Sequence, residues 1–263
     1  MSERFRIDIN DGAAILTMTR AAVNNAFDDI MIGEMTASLS ELAGKTDVEA
    51  VVIAGEGKNF CAGADIAWMK RAAAYGYDQN LADAEALAKL MSTLDQLPKP
   101  TIAKVQGAVY GGGVGLVACC DIAIAADDAR FCLSEVKLGI IPAVIGPYVM
   151  AAIGARACRR YFQTAEVFDA SSAHELGLVH EVVPASKIDQ RIEAILASLK
   201  QGAPHAKAAA KALVIKMAHR PIEAPLIAET AAAIAEMRSK SEAKEGLSAF
   251  LERRKPRWRG DAG

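Results

Sequence analysis

The stretch Val105-Gln106-Gly107-Ala108-Val109-Tyr110-Gly111-Gly112-Gly113-Val114-Gly115-Leu116 decides the fold. Just before it, Thr101 to Val105 is short, apolar and β-branched, is entered through Pro98 and Pro100, and reads as a buried strand. Three consecutive glycines then lead into an apolar, Ala-containing run suited to a buried helix. Glycines at a strand-to-helix turn leave backbone N–H groups bare, because no Cβ blocks a ligand's approach. The positive end of the helix dipole points at the same spot. This suits an anion, or an oxygen that becomes anionic during a reaction. The alternative is that the glycines only permit close packing of helix on sheet. Other glycine motifs fail: a dinucleotide fingerprint needs a third glycine where Leu116 stands, and Gly44-Lys45-Thr46 lacks the first glycine of a phosphate loop, Leu39 occupying that position.

Composition sets the outer bounds. With 263 residues the chain is one large domain, or a core domain with a smaller appendage, and it can bury a sizeable core. Apolar residues make up 52%, which excludes general disorder. Lys and Arg number 30 against 32 Asp and Glu, with an isoelectric point near 6.1, so no global field favours nucleic acid or an anionic membrane. Met1-Ser2-Glu3-Arg4-Phe5-Arg6 carries no apolar signal core. The most apolar long window, Gly107 to Ala126, holds five glycines and Asp121, unlike a membrane span. Cys61, Cys119, Cys120, Cys132 and Cys158 form no C-x-x-C pair and are odd in number, so reduced thiols in a cytoplasmic protein are expected, with vicinal Cys119-Cys120 as packed core thiols. His174 and His180 are too far apart for one helical turn and no H-E-x-x-H occurs; no metal site is expected.

Along the chain, Phe5 to Ile9 and Ala13 to Met18 read as two strands joined at Asn10-Asp11-Gly12, a hairpin signal. A helix follows with Ile30, Met31, Met35 and Leu39 at helical spacing and Asp28 and Asp29 in its first turn. Ala50 to Ala54 is a buried strand, and Asn59-Phe60-Cys61-Ala62-Gly63-Ala64-Asp65-Ile66 a second small-residue turn. A long helix from Tyr77 to Leu97 precedes the central stretch; the strand Asp121 to Ala125 and the segment Arg130 to Glu135 follow it. Strand, strand and helix recur without an exact repeat, predicting an α/β fold of repeated ββα turns. From Val149 onward the chain reads as mostly helical, with Val179 to Val183 as its one later strand. Helices are predicted over Lys187–Lys200, Ala203–Ala218, Ile222–Arg238 and Glu242–Arg254, and a boundary near residue 200 divides 1–200 from 201–263.

Four motifs in order carry a resemblance: Asn25-Ala26 before the first helix; Phe60-Cys61-Ala62-Gly63-Ala64-Asp65-Ile66; Gly111-Gly112-Gly113 leading to Cys120-Asp121; and Ser134-Glu135 before Leu138-Gly139-Ile140-Ile141-Pro142. The chain resembles the crotonase (enoyl-CoA hydratase/isomerase) superfamily over essentially its whole length, and Gly246 to Pro256 is similar to that family's last helix. The resemblance implies a crotonase-like spiral of ββα turns, a C-terminal helical trimerisation region, and a homotrimer or homohexamer. It implies an acyl-CoA thioester as substrate, with no separate cofactor, whose carbonyl oxygen is held by the backbone N–H groups of Ala64 and Gly112. It also places CoA contacts at Ala62, Asp65 and Ile66, with Ala22, Val23 and Asn24 lining the nucleotide side and Phe250 and Arg253 at the adenine and 3′-phosphate, across a subunit boundary. Trp68 and Met69 are candidates for covering the acyl pocket, ordinary core packing being the alternative.

Hydratases of that family carry two glutamates, one three residues beyond the middle glycine and the other twenty further on. Here Glu135 matches the second, and Gly115 stands at the first. Apolar Phe131, Cys132 and Leu133 precede Glu135, so partial burial would raise its pKa towards a useful acid/base value. The first expectation is an enoyl-CoA hydratase adding water across the 2,3 double bond; the alternative is a 3-enoyl-CoA to 2-enoyl-CoA isomerase, which needs only one carboxylate. Tyr110 to Asp121, Phe131 to Gly139 and Ile141 to Tyr148 are similar in wording to bacterial methylglutaconyl-CoA hydratases, with Ala143 where most relatives have glycine. Two rivals from other classes are a CoA-binding protein without catalysis and RNA binding through Arg253-Arg254-Lys255-Pro256-Arg257-Trp258-Arg259, which pairs cations with an aromatic ring.

Overall fold

A computed structural model describes residues 3–259 of the protein. Met1 and Ser2, which open the stretch without a signal core, and residues 260–263, at the end of the expected helical region, lie outside the described residues. Strands β1 (Phe5–Asn10) and β2 (Ala13–Met18) pair antiparallel, Phe5 opposite Met18 and Asn10 opposite Ala13. Asp11 and Gly12 between them have φ of 48° and 78°. Two consecutive left-handed residues make the turn whose twist matches that of the strands.

Asp28 caps helix α1 (Asp29–Gly44), its carboxylate accepting from Met31 N at 2.8 Å. Met31, Ile32, Met35, Leu39 and Leu42 face inward, whereas Ile30, expected on that face, is half exposed. Residues 31, 32, 35, 39 and 42 recur at spacings of three and four and share one stripe, whereas 30 lies five before 35 and so points to solvent. Strand β3 (Ala50–Gly55) follows, then α2 (Ile66–Ala72) and α3 (Tyr77–Asp95). The central stretch forms β4 (Thr101–Val105), β5 (Ala108–Tyr110) and α4 (Gly112–Ala118). After it come β6 (Ile122–Ala126), β7 (Arg130–Cys132) and α5 (Gly146–Thr164).

The later part runs β8 (Phe168–Asp169), α6 (Ala170–Leu176), β9 (Glu181–Val183), α7 (Ile188–Leu199), α8 (Pro204–Met217), α9 (Ala224–Ser239) and α10 (Ser241–Leu251). Two features there differ from expectation. A short strand, β8, pairs with β7, Phe168 lying opposite Phe131. Gly154, at φ 76° and ψ 158°, breaks α5 into two segments.

Each turn of the chain sends one strand into a six-stranded sheet ordered β1-β2-β3-β4-β6-β9, parallel except for its first pair. The next strand of the turn enters a second sheet, β5-β7-β8. Single bridges, Cys61 to Val109 and Phe27 to Ala64, carry that layer back through the earlier turns. The result is the ββα spiral. Side chains on one face of the large sheet, among them Leu16, Val51, Ile53 and Ala103, join Phe27, Met31, Leu39 and Phe60 in the main core. The opposite face contributes Val52, Ile102 and Ile124, covered by Ile188, Ile192 and Ile195 of α7. A sheet buried on both faces explains why β3, β4 and β6 read as unbroken apolar runs. Helix α8 is joined to the spiral by Lys207–Glu49 and Lys211–Asp121 ion pairs, each 2.9 Å. Val214, Ile215, Ile227, Ile234, Leu247, Phe250 and Leu251 on α8 to α10 are exposed. Among the described residues no helix is long and apolar enough to cross a membrane.

Candidate active site

Two turns of the spiral meet at the start of α4. Gly111, at φ 49° and ψ −119°, precedes the helix in a conformation open in practice only to glycine. It presents Gly112 as the first helical residue, whose N–H has no turn behind it to bond. A Cβ on Gly112 would stand 2.2 Å from Phe27 Cζ, so the Phe27 ring lies directly against this backbone. On the other turn, Phe27 N donates to Gly63 O and Asp65 N donates to Phe27 O, both at 2.9 Å. These bonds direct Ala64 N–H away from Phe27. Among the described residues, neither Ala64 N–H nor Gly112 N–H has a protein acceptor.

Both amides border a cavity of about 380 Å³. Its walls are apolar: Phe27, Trp68, Met69 and Leu87 on one side, and the segment from Leu138 to Ile145 on the other. Trp68 and Met69 therefore cover the pocket. Glu135 begins a short 3-10 turn, Glu135–Leu138, and lines the same cavity beside Ser134. Its Oε2 is buried without a hydrogen-bond partner, and burial pushes its carboxyl above the ordinary glutamate value. Glu135 is the single titratable side chain among the lining residues. The carboxyl also lies against Gly111, whose imagined Cβ would be 3.3 Å from Oε1.

The position of the absent first glutamate is filled. A Cβ on Gly115 would meet Ile145 Cγ2 at 2.3 Å and Met91 Sδ at 3.3 Å. Ile145 is itself 2% exposed, so there is neither a side chain nor room for one. A wider cleft of about 1020 Å³ beside Gly154, lined by Arg156, Arg159 and Arg160, contains none of the expected site residues.

A model of the enoyl-CoA hydratase/isomerase family matches residues 8–261. The chain belongs to the enoyl-CoA hydratase/isomerase family. A crystal structure of an enoyl-CoA hydratase from Shewanella pealeana is 44% identical, superposes with a TM-score of 0.95, and covers 97% of this chain and 96% of its own. Pseudomonas aeruginosa AtuE is 37% identical with a TM-score of 0.93, covering 98% of this chain and all, 100%, of its own. The enoyl-CoA hydratase ACTT6 of Alternaria alternata is 31% identical over 206 residues, 78% of this chain and 67% of the relative.

The residues that family likeness marks for CoA fall into three groups. Ala62 lines the cavity. Ala22 and Val23 lie in a 3-10 turn, Ala21–Val23, and Asn24 O accepts from Ala62 N at 2.9 Å, so this loop adjoins the cavity without entering it. Ile66, 68% exposed, begins α2 beside them. Asp65 is different: its carboxylate accepts from Ala67 N (2.7 Å), Trp68 N (3.1 Å) and Arg20 Nη2 (2.7 Å). Burial alone would raise its pKa, but those bonds outweigh burial and hold the group low. Its side chain serves the fold, leaving only backbone for a ligand. Phe250 and Arg253, on and just beyond α10, are exposed and do not line this chain's cavity. The basic tail folds back on itself: Arg254 pairs with Glu245 at 2.6 Å, Arg257 with the same carboxylate at 3.7 Å, and Trp258 Nε1 donates to Gln201 O. Phe27, Ile145 and Arg20 shape the site, and no local sequence pattern marks them.

Proposed function

We propose that the chain hydrates a 2-enoyl-CoA thioester, with Ala64 and Gly112 N–H groups holding the thioester oxygen and Glu135 moving the proton. The observation that carries this reading is a carboxyl whose Oε2 is buried without a partner, in the same apolar cavity as two unclaimed backbone donors. As carboxylate, Glu135 takes a proton from water while the water oxygen bonds the β-carbon. The π electrons move onto the thioester oxygen as an enolate, where two preorganised amides stabilise the charge; one such donor is worth roughly 2.7–4 kcal/mol of barrier. The carboxylic acid then returns that proton to the α-carbon, giving the 3-hydroxyacyl thioester. Burial suits both half-steps, because it brings the carboxyl closer to neutral operating pH.

Isomerisation is the second reading, and the filled space beside Gly115 favours it. With one carboxylate and no second acid, Glu135 could carry a proton between the γ- and α-carbons of a 3-enoyl thioester through the same oxyanion. Incubation with crotonyl-CoA, 3-methylcrotonyl-CoA, methylglutaconyl-CoA and 3-hexenoyl-CoA, followed by absorbance of the conjugated thioester, separates the two. Loss of absorbance with the first three supports hydration; gain with the last alone supports isomerisation. The methylglutaconyl substrate rests on local sequence wording, since no lysine or arginine lines the cavity. Glu135→Gln is expected to abolish turnover while retaining CoA binding; a variant as active as the parent would leave only a binding protein. The paired charges of the tail speak against RNA. We further place 201–263 as the oligomerisation region of a trimer or hexamer, on the strength of its exposed apolar side chains, and the protein in a reducing cytoplasm, on its five free buried thiols.

A further inference from the structure

We infer that Arg20 is a positioning residue that sets both oxyanion donors at once, through two carboxylates that each cap a helix. This rests on the acyl-CoA reading of the site. The Arg20 guanidinium bonds Asp65 Oδ2 through Nη2 at 2.7 Å and Ala26 O through Nη1 at 2.5 Å, and Nη1 lies 3.6 Å from Asp28 Oδ2. Asp65 directly follows Ala64, the first donor. Ala26 and Asp28 flank Phe27, whose ring rests on Gly112, the second donor. One planar cation therefore touches the residues on either side of Phe27 and the residue next to Ala64.

The carboxylates are fixed from the other side as well. Asp28 accepts from Met31 N, at the start of α1, and from Arg4 Nε at 3.0 Å. Asp65 accepts from Ala67 N and Trp68 N, at the start of α2. Side-chain exposure is 19% for Arg20, 10% for Asp28 and 8% for Asp65, so these charges are largely out of water. Removing the cation leaves Asp65 without a counter-charge, while Asp28 keeps Arg4 at 3.0 Å, and it takes away the fork that joins the two turns; an uncompensated buried charge is resolved by movement. The turns that would move are the ones carrying Ala64 and Phe27. A lysine in place of Arg20 keeps the charge but offers one nitrogen where the fork bonds two acceptors, Asp65 Oδ2 and Ala26 O, and pairs with Asp28 at 3.6 Å.

The test compares the intact protein with Arg20→Met and Arg20→Lys, using 2,4-hexadienoyl-CoA as a bound chromophore and crotonyl-CoA for turnover. Hydrogen bonding at the thioester oxygen draws electron density along the conjugated chain and shifts its absorbance to the red. Arg20→Met is expected to lose at least half of that shift, and roughly tenfold to hundredfold in kcat, the scale of a misplacement near 1 Å, with KM within about threefold. Arg20→Lys falls between. A purely structural role would lower the melting temperature and leave the shift and kcat of the folded fraction unchanged, which overturns the inference. If Arg20→Met does not fold, Arg20→Lys and Asp28→Asn decide, the latter keeping an acceptor for Met31 N while losing the charge; an unchanged shift in both is again fatal. A parent protein that binds no dienoyl-CoA overturns the acyl-CoA reading itself, whereas a parent that shifts the chromophore and variants that shift it equally overturn the role of Arg20 alone.

Discussion

Placing a glutamate at the family's first position by Gly115→Glu tests whether packing is what keeps a second carboxylate out of this site. The first atom added already fails to fit: Cβ would lie 2.3 Å from Ile145 Cγ2 and 2.9 Å from Ile145 Cβ, with Met91 Sδ at 3.3 Å. Overpacking of a filled core costs about 1–3 kcal/mol. A carboxyl left without a partner among isoleucine and methionine adds about 1–3 kcal/mol more. Together that is about 2–6 kcal/mol, or a melting temperature lower by about 5–20 °C for a chain of this size. Ile145→Ala alone costs about 2–5 kcal/mol by the cavity it opens. In the double variant the new side chain occupies that cavity, so the costs should fall well short of their sum, and hydration should recover relative to Gly115→Glu. Thermal unfolding and loss of enoyl-CoA absorbance measure both quantities. A Gly115→Glu protein that melts within about 2 °C of the parent and hydrates faster than it would refute the reasoning, because the slot would then be open to a side chain.

Gly112→Ala should lose about 10²–10³-fold in kcat, the scale of one oxyanion donor. Its methyl would sit 2.2 Å from Phe27 Cζ and must displace either the ring or the amide; steady-state kinetics with crotonyl-CoA checks it. Glu135 contributes a pH-dependent cost. Its folded-state pKa lies above the ordinary 4.5, so its contribution to stability is full below the unfolded value and is lost as pH rises through the folded one. Glu135→Gln is therefore expected to match the parent's melting temperature at acid pH and exceed it at neutral pH, while the parent's turnover rises across the same window as the base forms. The five cysteines are all buried; desolvation pushes Cys61 up to about 12, and Cys119 and Cys120 are raised further. With no thiolate available, a disulfide reagent should titrate none of them in native protein and five in denaturant.

What the sequence makes legible is local chemistry. Asp11-Gly12 reveals the hairpin because the turn's φ values are a property of two adjacent residues. Gly111-Gly112-Gly113 marks the candidate donor site for mixed reasons: Gly111 answers its own φ of 49°, whereas Gly112 and Gly113 answer the approach of Phe27 and Cys61, to 2.2 and 2.5 Å of an added Cβ. The second sheet is hidden, because it is built from strands of two or three residues and from single bridges at Phe27 and Cys61, too short to carry a period. Met31, Met35 and Leu39 face inward as expected, and Ile30 alone does not, because five residues separate it from Met35 and place it off that stripe. Glycine at position 115 is visible in the chain, yet its meaning is not. Absence of the glutamate is compatible with a water-filled gap, with a substitute acid or with packing, and only the approach of Ile145, thirty residues later, decides for packing. Arg20 shows the same limit more sharply. Nothing near it in sequence distinguishes a surface arginine from one shared between Asp28 and Asp65, since Asp65 lies 45 positions away and the bond exists only once the spiral has closed. Backbone amides show in the sequence only through the glycines around them, whereas Glu135 is visible as a carboxylate after an apolar run. The contacts that Arg20 makes with Asp65 and Ala26 O join two turns of the chain, and they are legible only in three dimensions.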